Sequence, residues 1–564
     1  MMTDWDFVVC DALEKVYPDA DPRPLDRGIP LSAVLGEMVS FQVAFRPHAS
    51  GDFLDLRPLR LRFAGDAARH VTAHRVELVP VELPAFHGHD DRYDRDAPGL
   101  YPDLLVPLEG DELRPLVGFW RAVWIDVRVD DAADAGILPV AFAVTDADGA
   151  ELWRDEVSVQ VLPVRLPELD IVNSHWLHAD ALADHYGVAV LGEEHWALLD
   201  RFLAAAAEMG VTSILTPVWT PPLDTAVGRY RTPVQLIGIA ETAPGRYLFD
   251  FANLRRWIAL CTANGIPGIE IAHLFTQWGA AATPAVYADR DGETVRLFGW
   301  DVPATDPRYR AFLEQLLPEL CRVLDETHDR WQVVFHVSDE PHGEGQLASY
   351  LAAKAVVADL LAGRRIVDAL SDHAYFSSGA VEIPVVATDA IEPFLADRPG
   401  ELWAYYCVGQ HRDVANRFIA MPSYRSRVLG HQLFAFELDG FLHWGFNYYY
   451  SWNSLRLIDP FRDTSAGGAY PGGDPFIVYP GEDGRPLPSI RSRVFAQAMW
   501  DHRAMQAVRD RDGFAAVRDL LDPDAALRFG SYSADPGHYL RVRAHLNARL
   551  AETDFEELTG SRHV

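Results

Sequence analysis

Hydrophobic and polar residues alternate with a period of two through the first part of the chain. Turn segments rich in Gly and Asp separate the clearest runs, which are residues 38–47, 71–83, 121–129 and 156–164. Alternate side chains of a β-strand point to opposite faces, so each run predicts a strand with one buried face. Short strands joined by turns are typical of a β-sandwich, which we predict for residues 1–166.

After Pro163 and Pro167 the pattern changes to short hydrophobic runs that alternate with helical ones. Eight runs predict strands, at residues 171–178, 212–219, 268–275, 331–338, 364–371, 383–389, 401–407 and 440–450. Helical spacing of apolar residues predicts helices at residues 195–210, 253–265, 309–328, 347–363 and 491–510. Strands alternating with helices indicate an α/β fold, and eight of them indicate a (β/α)₈ barrel of the TIM type. We therefore expect an N-terminal all-β sandwich, a barrel over residues 167–510, and a C-terminal helical extension at 511–564 packed on the barrel.

Two adjacent carboxylates, Asp339 and Glu340, follow the fourth predicted strand and precede Pro341. The strand itself, residues 331–338, is rich in β-branched and aromatic residues, as in strands buried on both faces. Catalytic residues of α/β barrels lie at the C-terminal ends of the strands. A carboxylate pair there indicates acid/base or electrostatic catalysis on a sugar or ester, whereas the structural alternative is a solvated loop.

Aromatic and polar residues recur at the ends of the other predicted strands. Aromatic rings stack on the C–H faces of a pyranose, and planar polar groups pair with its hydroxyls. Each aromatic residue taken alone fits a hydrophobic core equally well. The candidate substrate-binding residues are His175, Trp219, Gln277, Trp278, His336, Tyr405, Trp444, Asn447 and Tyr448.

Histidines and aspartates at the strand ends leave a barrel metallohydrolase open as a rival hypothesis. Against it, His175 and His178 would point to opposite faces of a strand, and adjacent carboxylates would chelate one ion poorly. The polar segment 87–103 contains more His and Asp residues, but their spacing matches no metal motif. We expect this segment to be a solvated loop or one that reaches a neighbouring domain, and we predict no metal and no cofactor.

The charge and the cysteines narrow the possible partners. The chain has 50 basic and 82 acidic side chains, a formal net charge of −32, which argues against nucleic-acid or membrane partners because both need basic surfaces. Four well-separated cysteines indicate neither a disulfide framework nor a cysteine zinc site. No signal peptide or membrane-spanning run is recognisable, so a cytoplasmic location is expected. The oligomeric state is not indicated.

Several motifs resemble glycoside hydrolase family 123 and the wider domain family related to it. VSDEP at 337–341 is similar to the family's catalytic Asp–Glu pair. LGEMVSFQVAF at 35–45 and GLYPDLLVPL at 99–108 resemble its N-terminal sandwich. The barrel-closing strand, the loop after it and the next helix are matched in order by GFLHWGFNYYYSWN at 440–453, GGDPFIVYPG at 472–481 and PLPSIRSRV at 486–494.

The resemblance implies a retaining exo-glycosidase that removes a terminal β-linked 2-acetamido sugar, which is N-acetylgalactosamine for enzymes of the family. Glu340 would be the general acid/base. Asp339 would orient the 2-acetamido group, whose carbonyl attacks the anomeric carbon in place of an enzyme nucleophile. The terminal helix departs from the family pattern and keeps only Asp501 of its acidic stretch. A glycosidase of different sugar specificity and a non-catalytic glycan-binding protein therefore stay open.

Overall fold

The computed structural model describes residues 5–48, 58–131 and 133–552. Its N-terminal part is a sandwich of two five-stranded sheets. The strands are Trp5–Asp11, Leu31–Val34, Met38–Pro47, Leu59–Ala64, Val71–Val81, Gly99–Pro107, Glu112–Leu113, Arg121–Arg128, Gly136–Thr145 and Glu151–Leu162. The predicted all-β sandwich is thus confirmed.

One sheet of the sandwich is buried on both faces. Its strand order is Trp5–Asp11, Met38–Pro47, Arg121–Arg128, Val71–Val81 and Gly99–Pro107. Val123 and Ile125 point into the core between the two sheets. Trp124 points the other way, into a second core shared with the C-terminal helices. The sandwich is therefore packed into the rest of the molecule rather than appended to it.

The second part is a closed parallel barrel of eight strands, which confirms the predicted (β/α)₈ fold. Each predicted strand contains an observed one, but the observed strands are shorter and most end earlier. They are Val172–His175, Ser213–Thr216, Gly268–Ile271, Val333–Phe335, Arg365–Leu370, Ile383–Ala387, Trp403–Tyr405 and Gly440–His443. Large apolar side chains such as Trp403 and Val334 fill the interior, as is usual for such barrels.

Eleven α-helices lie within the described ranges, and all five predicted helices are among them. They are Ala179–Tyr186, Glu193–Glu208, Ala252–Ala263, Pro307–Asp325, Gly343–Val357, Ala374–Ser377, Glu392–Ala396, Tyr424–Ala435, Ile490–Asp512, Phe514–Leu521 and Pro536–Leu550. The last two pack against Ile490–Asp512, and Pro536–Leu550 also contacts the sandwich strand Leu31–Val34. None of the helices in the described residues is long and apolar enough to cross a membrane.

Smaller secondary-structure elements lie in the loops and turns around the main sheets and helices. The loops after its second and third strands form a four-stranded sheet that the sequence did not predict, made of Gly238–Ala243, Arg246–Asp250, Val286–Arg290 and Glu293–Phe298. A later loop forms the short pair Tyr479–Pro480 and Pro486–Leu487. Short 3₁₀ helices span Asp66–His70, Arg330–Gln332 and Trp452–Ser454.

The polar segment 87–103 crosses from the sandwich to the barrel. The prediction of a loop over its whole length was wrong, because residues 99–103 begin the strand Gly99–Pro107. Asp90 forms an ion pair of 2.9 Å with buried Arg425, and the Tyr93 hydroxyl donates to the His411 carbonyl at 2.7 Å. These contacts explain the polar composition without a metal.

A buried ion pair connects the sandwich to the segment that follows the barrel. Arg491 donates two hydrogen bonds of 2.9 Å to Asp103, and both side chains are almost fully buried. Its remaining nitrogen donates to the carbonyls of Gly473 and Phe476 at 2.7 and 2.9 Å. Gly473 has a φ of 91°, and a Cβ there would lie 2.9 Å from the Arg491 guanidinium carbon. The GGDPF and SIRSR motifs are therefore two sides of one contact.

Asp103→Asn tests the strength of this ion pair. The substitution leaves Arg491 buried without a counter-charge, so we expect the free energy of unfolding to fall by about 3–5 kcal/mol. Urea unfolding followed by tryptophan fluorescence measures the change. The control is Glu151→Gln, which breaks an exposed ion pair with Arg154 and should leave the unfolding midpoint unchanged. Identical midpoints for the two variants would contradict the expectation.

Candidate active site

Asp339 and Glu340 lie just beyond the fourth barrel strand, where the chain turns sharply. Glu340 has a φ of 41°, a left-handed conformation that is strained for a residue with a side chain. Neighbouring loops hold the turn, since the Trp278 amide donates to the Asp339 carbonyl at 2.8 Å and the Glu340 amide donates to the Ala369 carbonyl at 3.1 Å. Strained backbone of this kind is concentrated at functional sites.

Both carboxylates line a pocket of about 580 Å³, measured to its open mouth, at the C-terminal end of the barrel. Four other predicted site residues join them in the wall: Gln277, Trp278, Tyr405 and Trp444. The remaining lining residues are Trp176, Leu223, Asp224, Ala369, Cys407, Val408, Leu442 and Tyr470.

Five predicted substrate-binding residues are buried outside the pocket wall: His175, Trp219, His336, Asn447 and Tyr448. His175 lies on the wrong face of its strand, because Ser174 and Trp176 point inward to Glu270 and its own ring packs against Phe495 on the outer helix layer. The other four lie past the observed strand ends, where period-two alternation no longer applies. Asn447, for example, bonds both backbone groups of His178 and so supports a loop.

Asp224 and Tyr470 are pocket residues that the sequence analysis missed. Asp224 lies in the loop after the second strand, several residues beyond Trp219, at which the prediction stopped. Tyr470 lies in the Gly-rich loop after the eighth strand and donates a 2.8 Å hydrogen bond to the Asp224 carboxylate. Trp176 also lies in the pocket wall but was not among the candidate substrate-binding residues. The inward face of the first strand was the one available signal for it.

Glu340 is held at one oxygen. The Tyr405 hydroxyl donates to Glu340 Oε1 at 2.5 Å, and the Cys407 sulfur lies 3.9 Å from the same atom. Burial and, next, the charge of Glu340 raise the pKa of Tyr405 well above its usual range, so the hydroxyl keeps its proton and stays a donor. Tyr405 thus fixes the orientation of the Glu340 carboxylate within the pocket.

The ionisation of the Asp339 carboxyl group is strongly perturbed. Burial raises its pKa well above the usual range, and the adjacent charge of Glu340 raises it further. His336 acts in the opposite direction. A perturbed carboxyl group in a cleft is a frequent mark of a functional residue.

His336 lies beneath the pair, between two buried carboxylates. Its Nε2 is 2.7 Å from Glu270 Oε1 and its Nδ1 is 3.5 Å from Asp368 Oδ1. Burial disfavours the charged ring, but the two carboxylates outweigh it and raise the pKa of His336 to about 9. Asp368 also accepts hydrogen bonds from the amides of Val337 and Ser338 at 2.9 and 3.2 Å. This buried triad, Glu270, His336 and Asp368, therefore secures the backbone that leads into Asp339.

The opposite wall contains Trp444, which a buried carboxylate orients. The Trp444 indole nitrogen donates to Asp474 at 2.9 Å, and the Tyr470 ring contacts it edge-on at 5.8 Å. Burial raises the pKa of Asp474 to about 7, against the attraction of Arg417. Trp444 thus presents a fixed aromatic surface of the kind that stacks on a sugar ring.

No group of three or more His, Cys, Asp or Glu residues within the described ranges is arranged to hold a metal ion. Glu340 accepts a hydrogen bond from the Tyr405 hydroxyl, and Asp224 accepts from the Tyr470 hydroxyl and the Asn453 amide. The arrangement is suited to proton transfer and charge stabilisation next to an apolar surface.

Glu270→Gln tests whether the triad holds a cation. A folded pKa of about 9 against an ordinary 6.5 means that His336 stabilises the fold fully below pH 6.5 and that this contribution is lost as the pH rises through 9. Between pH 7 and 9 the wild-type free energy of unfolding should fall by up to about 1.4 kcal/mol per pH unit. Urea unfolding at several pH values should show a smaller slope for Glu270→Gln.

The matched control for this measurement is His273→Phe. His273 is fully buried and stacks on His336 with ring centroids 4.3 Å apart, yet neither ring nitrogen has a partner among the described residues. Burial lowers its pKa well below the usual value, so its ring is neutral. His273→Phe should keep the wild-type slope, and an unchanged slope in Glu270→Gln would contradict a charged triad.

Comparisons with known proteins agree with this geometry. The sequence profile "Glycoside hydrolase 123, catalytic domain" matches residues 176–508. A solved family 123 glycoside hydrolase from Clostridium perfringens, described for glycolipid glycan hydrolysis, aligns over 99% of both chains with 14% identity and a TM-score of 0.72. Its fold is thus shared along nearly the whole length.

More distant similarities add no argument. A β-galactosidase from Rahnella sp. R3 aligns with 10% identity over 68% of this chain and 65% of its own, with a TM-score of 0.35. β-Glucuronidase 3 from Bacteroides uniformis aligns with 12% identity over 89% of this chain and 52% of its own, with a TM-score of 0.29. No curated protein sequence matches significantly. The profile covers more than half of the chain and includes the pocket, and the chain belongs to glycoside hydrolase family 123.

Proposed function

We propose that this glycoside hydrolase is a retaining exo-glycosidase that removes a terminal β-linked 2-acetamido sugar by substrate-assisted catalysis. The observation that carries the proposal is the adjacent pair Asp339 and Glu340 at the wall of an aromatic pocket. One carboxylate of an adjacent pair can reach the leaving oxygen while its neighbour reaches the 2-substituent. Such a pair suits a mechanism in which the substrate supplies its own nucleophile.

In the first step the 2-acetamido carbonyl oxygen forms a bond to the anomeric carbon as the bond to the leaving oxygen breaks. Glu340 gives its proton to that leaving oxygen. Asp339 accepts a hydrogen bond from the acetamido N–H and stabilises the positive charge of the oxazolinium ion. In the second step Glu340 takes a proton from water, the water oxygen bonds to the anomeric carbon, and the bond to the carbonyl oxygen breaks. Two inversions give net retention.

The glycan of a glycolipid is the substrate class that we propose, as described for the Clostridium perfringens relative. An exposed aromatic residue in the pocket wall supports it. Trp278 lines the pocket and is 43% exposed. Exposed aromatic rings beside a sugar pocket can contact the part of the substrate that follows the scissile bond.

Glu340→Gln tests the acid/base role. An amide of the same size cannot donate or accept the transferred proton, so kcat on an aryl 2-acetamido-β-glycoside should fall by about 10²–10⁴-fold. The control is Glu344→Gln, an exposed residue at the start of the helix Gly343–Val357, which should keep wild-type kcat. Both variants should keep the wild-type unfolding midpoint. Full activity in Glu340→Gln would contradict the assignment.

Asp339→Asn separates substrate assistance from other mechanisms. The loss of one preorganised charge should lower the rate of the first step by about 10²-fold or more. A thiazoline analogue of the sugar, which resembles the cyclised intermediate, should inhibit the wild type strongly and the variant weakly. Burial and Glu340 raise the pKa of Asp339, so wild-type kcat/KM should begin to fall on acidification at a pH above the ordinary aspartate range. In the pH profile of Asp339→Asn this acidic decrease should be absent. Efficient hydrolysis of 2-hydroxy glycosides would contradict the mechanism.

A further inference from the structure

Asp224 is a third carboxylate of the pocket, and the proposed mechanism gives it no role. It lines the same wall as Trp444 and Tyr470 and comes from the loop after the second strand. Its φ of 40° is left-handed, as are those of the pocket residues Trp278 and Glu340. Strain at a residue with a side chain persists only where surrounding contacts impose it, so the contacts that hold Asp224 indicate a functional constraint on its position.

Two loops hold Asp224, the one after the third strand and the one after the eighth. Its Oδ1 accepts hydrogen bonds from the Tyr470 hydroxyl at 2.8 Å and from the Asn453 amide at 3.3 Å. Its own amide donates to the Gln277 side chain at 2.5 Å, and its carbonyl accepts from the Ser454 hydroxyl at 2.7 Å. These contacts fix both the backbone and the plane of the carboxylate before any ligand arrives.

The second carboxylate oxygen of Asp224 is unpaired. Asp224 Oδ2 is buried and has no hydrogen-bond partner among the described residues. The nearby cation Arg231 is committed elsewhere, with an ion pair of 3.2 Å to Asp180 and a contact of 3.2 Å to His178. Burial raises the pKa of Asp224, and the attraction of Arg231 opposes that rise only in part. Buried polar atoms are nearly always paired, so an orphan inside a ligand pocket indicates that the ligand supplies the donor.

We propose that Asp224 recognises a hydroxyl of the terminal sugar, with Oδ2 accepting one hydrogen bond from it. The inference rests on the proposed function for the orientation of the sugar. If the anomeric carbon faces Glu340 and the 2-acetamido group faces Asp339, the hydroxyls at C3, C4 and C6 are left to meet Asp224. A carboxylate can accept a hydrogen bond only from a free hydroxyl. Asp224 therefore selects a terminal sugar whose hydroxyl at that position is unsubstituted. This makes the pocket exo-acting.

The negative charge of Asp224 has a second effect on which substrates the pocket selects. A sulfate or carboxylate on the recognised position would bring an anion against a buried carboxylate, and repulsion of this kind rejects wrong partners. The preferred terminal sugar is therefore neutral at that position. The net charge of the whole chain, −32, acts in the same direction at longer range.

The test is a cycle of enzyme and substrate changes. Aryl 2-acetamido-β-glycosides lacking the 3-, 4- or 6-hydroxyl are compared with the parent compound on the wild type and on Asp224→Ala. One deoxy substrate should lose about 10²-fold or more in kcat/KM on the wild type, because it leaves Oδ2 buried and unpaired. The same substrate should lose little on Asp224→Ala, where the unpaired oxygen is gone. The other two deoxy substrates serve as internal controls with equal penalties on both enzymes.

Tyr470→Phe provides a second variant in case Asp224→Ala does not fold. It keeps the carboxylate but removes its 2.8 Å donor, so the selective penalty should shrink without disappearing. Equal penalties on all enzymes for all three deoxy substrates would overturn the role of Asp224 while leaving the glycosidase function intact. If the wild type cleaves no 2-acetamido glycoside, the proposed function fails instead, and the same cycle on the 2-hydroxy glycosides that it does cleave decides the role of Asp224.

Discussion

The catalytic end of the barrel depends on one buried electrostatic arrangement, an imidazole held between two carboxylates that raise its pKa to about 9. His336 bridges Glu270 on the third strand and Asp368 on the fifth, directly after the short strand that precedes it. That strand, Val333–Phe335, is only three residues long and has few ladder bonds of its own. The Asp368 carboxylate takes the place of further ladder hydrogen bonds, because it accepts hydrogen bonds from the amides of Val337 and Ser338. A strand this short can then present two carboxylates in a defined, strained turn.

Most of the fold could be predicted from the sequence because it is encoded by periodicity. The alternation of Val123, Ile125 and Val127 indicates a strand in any context, and these residues do form the sandwich core. Eight hydrophobic runs separated by helices leave few topologies other than a closed barrel. The four-stranded sheet beside the barrel was missed because its strands, such as Arg246–Asp250, are largely exposed and carry little hydrophobic signal.

The site was less predictable than the fold, for two physical reasons. Strands end where ladder hydrogen bonds end, and hydrophobic composition continues beyond that point, so Trp219 and Tyr448 were assigned to a mouth that lies elsewhere. Inward and outward positions differ by one residue, which is why His175 was chosen over Trp176. The pair Asp339 and Glu340 was recognisable because two charges directly after a buried strand have no packing role there. Asp224 was not, because its place in the pocket is set by contacts with Gln277 and Tyr470, which are distant in sequence.

The bidentate contact between Asp103 and Arg491 has a consequence for how such proteins can evolve. Arg491 also binds the carbonyls of Gly473 and Phe476, and Asp474, one of the two residues between them, orients Trp444 in the pocket. A chain of hydrogen bonds thus runs from a sandwich strand to Trp444 in the pocket wall. In this chain the sandwich is therefore not an exchangeable module. Recombination that replaced it would have to keep Asp103, the glycine turn and Arg491 together.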